Sequence, residues 1–352
     1  MAGLRKVVLR GGMEALYFTG AYRLLRPLTA GVGAILTLHH VRPPRGDAFQ
    51  PNRLLEVAPA FLEGVLRSLR RAQVDLVSLD EMHRRMVEGD FSRRFVCVTF
   101  DDGYRDTKQF AYPILKKYEV PFTIYVATSF ADRLGELWWV ALEAVVAQNE
   151  LIGIRIDGTD RWFEARDVPE KRAVYDHICA WLRQLPTEDA LRRVIRELTA
   201  RHRVDMTAFC TDLCMDWRQL AAMAADPLVT IGAQTVNHPI LAKIDDKTVR
   251  AELENSRSVI EAALGVRPRH LAYPMGDSSA AGPREFRIAA ELGFSTAVTT
   301  RPGVIFPQHA RHLTALPRIS LDGHFQSTRY AKVLISGAAT ALSNGFRPVN
   351  VT

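Results

Sequence analysis

The sequence predicts an α/β fold in which repeated βα units are wound around parallel strands. Two observations predict it: short β-branched or aromatic runs recur along the chain, and stretches with helical spacing of apolar residues separate them. The strand candidates, in order, are 35–38, 76–79, 95–100, 122–127, 228–232, 270–273, 296–299 and 316–319.

Between them, residues 58–71 place Phe61, Val65, Leu66 and Leu69 on one helical face. Residues 248–264 do the same with Leu253, Val259 and Ile260, with Asp245 or Asp246 as the cap and Gly265 as the stop. The interval 131–226 carries Trp138, Trp139, Leu142, Val145 and Val146, then charged stretches around 171–185 and 188–203. It reads as a mostly helical insertion, because a structureless loop of that length does not suit a compact domain. Residues 1–30 read as a basic amphipathic helical segment, with Phe18, Tyr22 and Leu25 on its apolar face, and residues 331–352 as a C-terminal tail.

Composition excludes the extreme classes. At 352 residues, 47% hydrophobic and 24% charged, the chain is neither disordered nor a bundle of membrane spans. Lys and Arg outnumber Asp and Glu by 46 to 39, a formal charge of +7, but no sustained basic block with interleaved aromatics appears, so no nucleic-acid partner is expected. The basic N-terminal helix leaves room for peripheral contact with an anionic bilayer, or for packing against the domain. The four cysteines form no CxxC pair and fit a reducing compartment, and with no clear secretion signal the expected location is cytoplasmic, peripheral to the inner face of the membrane if the basic helix contacts it.

The sharpest local feature is the run Phe95 to Phe100 followed at once by Asp101, Asp102 and Gly103. Parallel sheets hold their active sites at strand C-termini, and two adjacent carboxylates there repel unless a cation or a shared proton relieves them. A second strand candidate leads into Gln234, Thr235, Val236, Asn237, His238 and Pro239, and a third into Tyr273, Pro274, Met275 and Gly276.

On these residues the chain resembles the polysaccharide deacetylase family, also called the NodB-homology or carbohydrate esterase family 4 domain. Thr99, Phe100, Asp101, Asp102 and Gly103 match its first motif without a change. Thr235, His238 and Pro239 fit the second, where Gln234 replaces its first histidine; Tyr273, Pro274 and Gly276 fit the third. The resemblance implies a distorted (β/α) barrel of about seven strands, spanning residues 31–330 here with 131–226 as the insertion.

It also implies metal-dependent removal of acetyl groups, N-acetyl foremost, from a polysaccharide, oligosaccharide or glycolipid. In that scheme Asp101 is the general base, while Asp102, His238 and position 234 surround a divalent transition metal, zinc in the first instance. A late histidine serves as the acid. His309, His312 and His324 are candidates for it, with His324 preferred, and His39 or His40 could equally face the pocket. Tyr104, Tyr273, Pro274, Gly276, His39 and His40 are expected to line the substrate site. Because Gln234 offers only a neutral amide oxygen where imidazole is expected, a carbohydrate-binding homologue without turnover stands as the alternative, followed by an anionic-surface binding module.

Overall fold

A computed structural model describes residues 2–349 and residue 351. Seven parallel strands close into a barrel: β1 (Gly33–Leu38), β2 (Phe95–Phe100), β3 (Phe122–Val126), β4 (Val229–Ala233), β5 (His270–Ala272), β6 (Thr296–Pro302) and β7 (Leu316–Ser320). Each strand pairs with its neighbour in sequence, and β1 pairs with both β2 and β7, which closes the ring. The two-residue strand Asp75–Leu76 pairs with the start of β2 outside that ring. It accounts for the eighth strand candidate, at 76–79.

The barrel is distorted where pairing is thin. The β4–β5 register rests on Leu271 opposite Ala233, and the β6–β7 register shifts between Val298 and Pro302.

Alternation along β2 explains how the mouth acquires its charge. Phe95 and Cys97 point inward to meet Ile35, Tyr125, Ala272, Val298 and Leu316, whereas Val96, Val98 and Phe100 face the helical layer. A strand changes face at every residue, so Asp101 continues the inward row at the C-terminal end. Gly232 on β4 makes room for this interior, since a Cβ there would sit 2.5 Å from the Tyr125 ring.

The helices used below are α1 (Ala2–Phe18), α2 (Ala21–Thr29), α3 (Pro59–Arg71), α4 (Trp138–Gln148), α5 (Val168–Gln184), α6 (Glu188–Arg201), α7 (Ala208–Leu213), α8 (Asp246–Leu264), α9 (Thr328–Ile335) and α10 (Ala338–Ser343). The Asp245 side chain accepts from the backbone N–H of Thr248 and Gly265 ends α8 in the left-handed conformation, as the capping residues predict. Most of the segment 331–343 is helical, in α9 and α10, and these two pack with Met13 and Tyr22 of α1 and α2 in a separate small core.

The insertion is not wholly helical. Leu151–Ile156 and Thr159–Glu164 form an antiparallel hairpin across Asp157 and Gly158, both at positive φ. That turn needs two left-handed residues, which Asp-Gly supplies. The insertion has its own core, in which Trp138, Leu142, Ile178 and Ile195 join Tyr104 and Phe130 from the barrel's upper end. It therefore lies over the mouth and roofs the carboxylate pair.

Candidate functional site

Asp101 and Asp102 are both buried, with side chains 3% exposed. They do different things. Asp101 receives a two-pronged ion pair from Arg318 on β7, with Nη1 to Oδ1 at 2.7 Å and Nη2 to Oδ2 at 2.6 Å. The same guanidinium donates to the carbonyl of Thr299 and the hydroxyl of Thr99, which fixes its plane. The Asp101 carboxylate holds Arg318 above its ordinary pKa, overcoming burial, which pushes the other way. His39 Nε2 lies 3.8 Å from Asp101 Oδ2, and burial lowers its pKa although both carboxylates pull it upward.

Asp102 adopts φ +67° and turns away from the β2 row. Its partners come from the turn after β4. The Gln234 side chain grips it twice: Oε1 accepts from the Asp102 backbone N–H at 2.9 Å, and Nε2 donates to Asp102 Oδ1 at 2.9 Å. His238 Nε2 is 3.4 Å from the same Oδ1. Burial raises the Asp102 pKa, but the His238 hydrogen bond and the charges of His39 and His40 outweigh it and bring the group down to about 2.

Aromatic walls enclose this centre. His238 packs against Phe130 and Trp139, and His40 stacks on Tyr104 with ring centroids 3.7 Å apart while its Nδ1 meets Asp106 Oδ2 at 2.7 Å. Several buried polar atoms here make no well-formed hydrogen bond among the described residues: Tyr104 Oη, which lies close to Trp139 and Asp102, Trp139 Nε1, His238 Nδ1 and Asp106 Oδ1. Native interiors rarely leave such atoms unmatched, and a group of them marks a place for water or a polar ligand.

The sequence-predicted site residues therefore separate into two sets. Asp101, Asp102, Gln234, His238, Tyr104, His39 and His40 converge. Tyr273 instead faces the outer layer, since β5 turns Ala272 inward and the next residue outward; its hydroxyl donates to the Thr314 carbonyl at 2.7 Å. Pro274 and Gly276 belong to the turn beyond it, where Gly276, at φ +64°, leaves no room for a Cβ beside the Thr300 nitrogen. His324 sits in the turn after β7, its backbone N–H donating to Asp322 Oδ1.

His309 is fully buried in a short helical turn, where its Nδ1 accepts from the Phe306 N–H at 3.0 Å. Burial drives its pKa down from 6.5 to about 4. A histidine kept neutral in the fold stabilises it fully above the unfolded value, and that contribution is lost as pH falls from 6.5 through about 4. The expected loss is about 3 kcal/mol, and replacing His309 by Gln should flatten the urea-measured stability profile across this interval.

Arg318, Trp139, Phe130 and Asp106 are site residues that motif matching gave no role. An arginine inside an otherwise apolar strand is the signal that could have found Arg318, because a buried guanidinium needs a carboxylate close by.

The polysaccharide deacetylase family model matches residues 88–154 and 187–297, half of the chain. This chain belongs to the polysaccharide deacetylase family. Three solved relatives share its fold. The deacetylase PplD of Streptococcus pyogenes, solved with acetate, superposes with a TM-score of 0.54 at 19% identity, over 82% of this chain and 92% of its own. IcaB from Ammonifex degensii gives 0.53 at 18%, over 86% and 97%. A polysaccharide deacetylase from Bacillus cereus gives 0.53 at 15%, over 86% and 68%. No curated protein sequence matches.

The family implies a metal, and the residues at the mouth can be tested for one. The 3.4 Å between Asp102 Oδ1 and His238 Nε2 suits two ligands of one cation. Gln234 does not suit a third: its oxygen is held by the Asp102 N–H, and its NH₂ points at the carboxylate, where a cation would meet hydrogens. Reversing the amide would set its NH₂ against that N–H, donor against donor. Among the described residues no group of three or more His, Cys, Asp or Glu is placed to hold a metal ion. The residues present do not fit a three-ligand metal centre.

Proposed function

We propose that this protein hydrolyses an acetyl group carried by a carbohydrate, with Asp101 as the base. The observation that carries this reading is an arginine-held carboxylate, Asp101, next in sequence to Asp102, around which the buried donors Tyr104 Oη and Trp139 Nε1 gather with only loose contacts to each other. Such donors suit the oxygens of a sugar or an acetyl carbonyl, and an aromatic wall suits a sugar face.

In this scheme Arg318 occupies one lone pair on each Asp101 oxygen and leaves others to accept a proton from water. The water oxygen bonds to the acetyl carbon, the bond from that carbon to the amine nitrogen breaks, and the departing amine takes up a proton. His39, the imidazole beside Asp101, is placed to return that proton, with His324 as the other candidate. Base assistance of this kind contributes about 10²–10⁴-fold, so turnover resting on it is expected to be slow.

Gln234 favours a second reading, a carbohydrate-binding member of the family without turnover, because its amide occupies the side of Asp102 that faces His238. Acetate release from N-acetylglucosamine oligomers by the native protein and by Asp101→Asn separates the two. The hydrolytic reading expects release that drops about 10²–10⁴-fold in the variant. Oligomer binding without release from either protein would replace it with the binding reading.

A further inference from the structure

The opposite end of the barrel carries a feature that the acetyl site does not use. A groove of about 650 Å³ runs between α2, α3 and α9. Five exposed cations border it: Arg23 and Arg26 from α2, Arg67 and Arg71 from α3, and Lys332 from α9. No Asp or Glu is among its lining residues. At its floor Arg94 is pinned to the carbonyl of Ala30 at 2.9 Å, and both burial and the nearby charge of Arg26 bring its pKa down to about 10.

What sets these cations apart is that they gather along one groove with no Asp or Glu in its lining, whereas several other surface arginines are neutralised. Arg84, Arg85, Arg267 and Arg287 each pair with a carboxylate. The side chains of Arg26, Arg67, Arg71 and Lys332 make no hydrogen bond or ion pair among the described residues. Glu63, outside the groove, acts on Arg67, but the other like charges are held together without such a neighbour, at a cost in free energy that an anionic partner would recover.

On the side of α2 that turns away from the groove lies uncovered apolar surface. Leu24 and Leu28, one turn apart on α2, are 81% and 75% exposed, and Phe18 at the end of α1 is 68% exposed. The inner face of α2 is fixed to the fold: Tyr22 is buried, and the Thr29 hydroxyl donates to the Ser336 carbonyl at 2.8 Å. The outward face of this rigidly held helix carries Leu24 and Leu28, while Arg26 lies on the flank that turns into the groove, with Arg23 between the two. Basic side chains meeting anionic headgroups, with leucines entering the acyl boundary, is the pattern of a helix that lies on a bilayer.

We propose that the α2–α3–α9 groove docks the protein on an anionic phospholipid bilayer, with phosphate groups between the arginines and with Leu24 and Leu28, on the outward face of α2, inserted into the bilayer. No helix among the described residues is long and apolar enough to cross a membrane, so the contact is peripheral. Arg94 immediately precedes β2, whose far end leads to Asp101, so the mouth faces away from the bilayer at about the height of the barrel, roughly 20 Å.

Flotation of the full-length protein with phosphatidylglycerol-containing vesicles and with pure phosphatidylcholine vesicles tests this. Binding is expected to the anionic vesicles alone, to weaken with added salt, and to fall at least about tenfold in the double variant Arg26→Glu, Arg67→Glu at unchanged Tm. Leu24→Ser with Leu28→Ser should also weaken binding while leaving its salt dependence in place. If the charge reversal unfolds the chain, Arg26→Gln with Arg67→Gln gives the same readout. Equal binding to both vesicle types, no flotation, or undiminished binding by the folded charge variants would overturn the proposal. So would binding to inorganic phosphate or duplex DNA, lost in the same variants, without vesicle binding.

Discussion

Replacing Arg318 by methionine is expected to destabilise the fold by about 3–5 kcal/mol. The residue is fully buried, and both prongs of its guanidinium end on Asp101. Methionine fills similar volume, so the loss comes from charge rather than from a cavity. Asp101 would remain as a carboxylate inside a closed barrel with His39 at 3.8 Å as its nearest basic group, and the Thr299 carbonyl would lose its donor. Urea denaturation of native and variant proteins measures the difference.

The companion variant separates mechanism from packing. Arg318→Met combined with Asp101→Leu removes both charges and should recover much of the loss, since an apolar pair avoids the desolvation that the ion pair had to offset. If the double variant were as unstable as Arg318→Met, overall packing around β7, and not the unpaired carboxylate, would be responsible.

The barrel was legible because its strands are short, apolar and bounded by turns, and because the Thr99–Gly103 run ends one of them. Parity along β2 then places Asp101 inside without further information. The 151–164 hairpin was legible in principle, from alternating Ile152, Ile154 and Ile156 before Asp157-Gly158, but flanking helices pulled the whole interval into one reading. Tyr273 shows the limit of motifs: the turn matches, yet strand parity sends that side chain to the outer layer. What Gln234 does was not legible at all. Its amide is oriented by a backbone N–H from a strand distant in sequence, exposed to it because Asp102 adopts a left-handed conformation. No local pattern encodes that meeting.

That amide also sets the largest expected change in binding. Gln234→His should raise zinc affinity on the order of 100-fold or more, by placing an imidazole nitrogen where the structure now has an NH₂. The native protein presents Asp102 and His238 to a cation, and the third position repels it. An imidazole carries a lone pair toward the centre and completes an Asp and two His set around one ion. Metal content after dialysis should approach one zinc per chain in the variant and stay near background in the native protein. Zinc should raise the Tm of the variant alone, because a ligand stabilises only the state that binds it. This readout does not depend on turnover, so it judges the site even if neither protein releases acetate. A native protein that keeps a stoichiometric ion and loses stability with a chelator would mean that the amide is reversed in solution, with Gln234 Oε1 on the metal. The Asp102 N–H would then need another acceptor, and the base at Asp101 would work beside a Lewis acid after all.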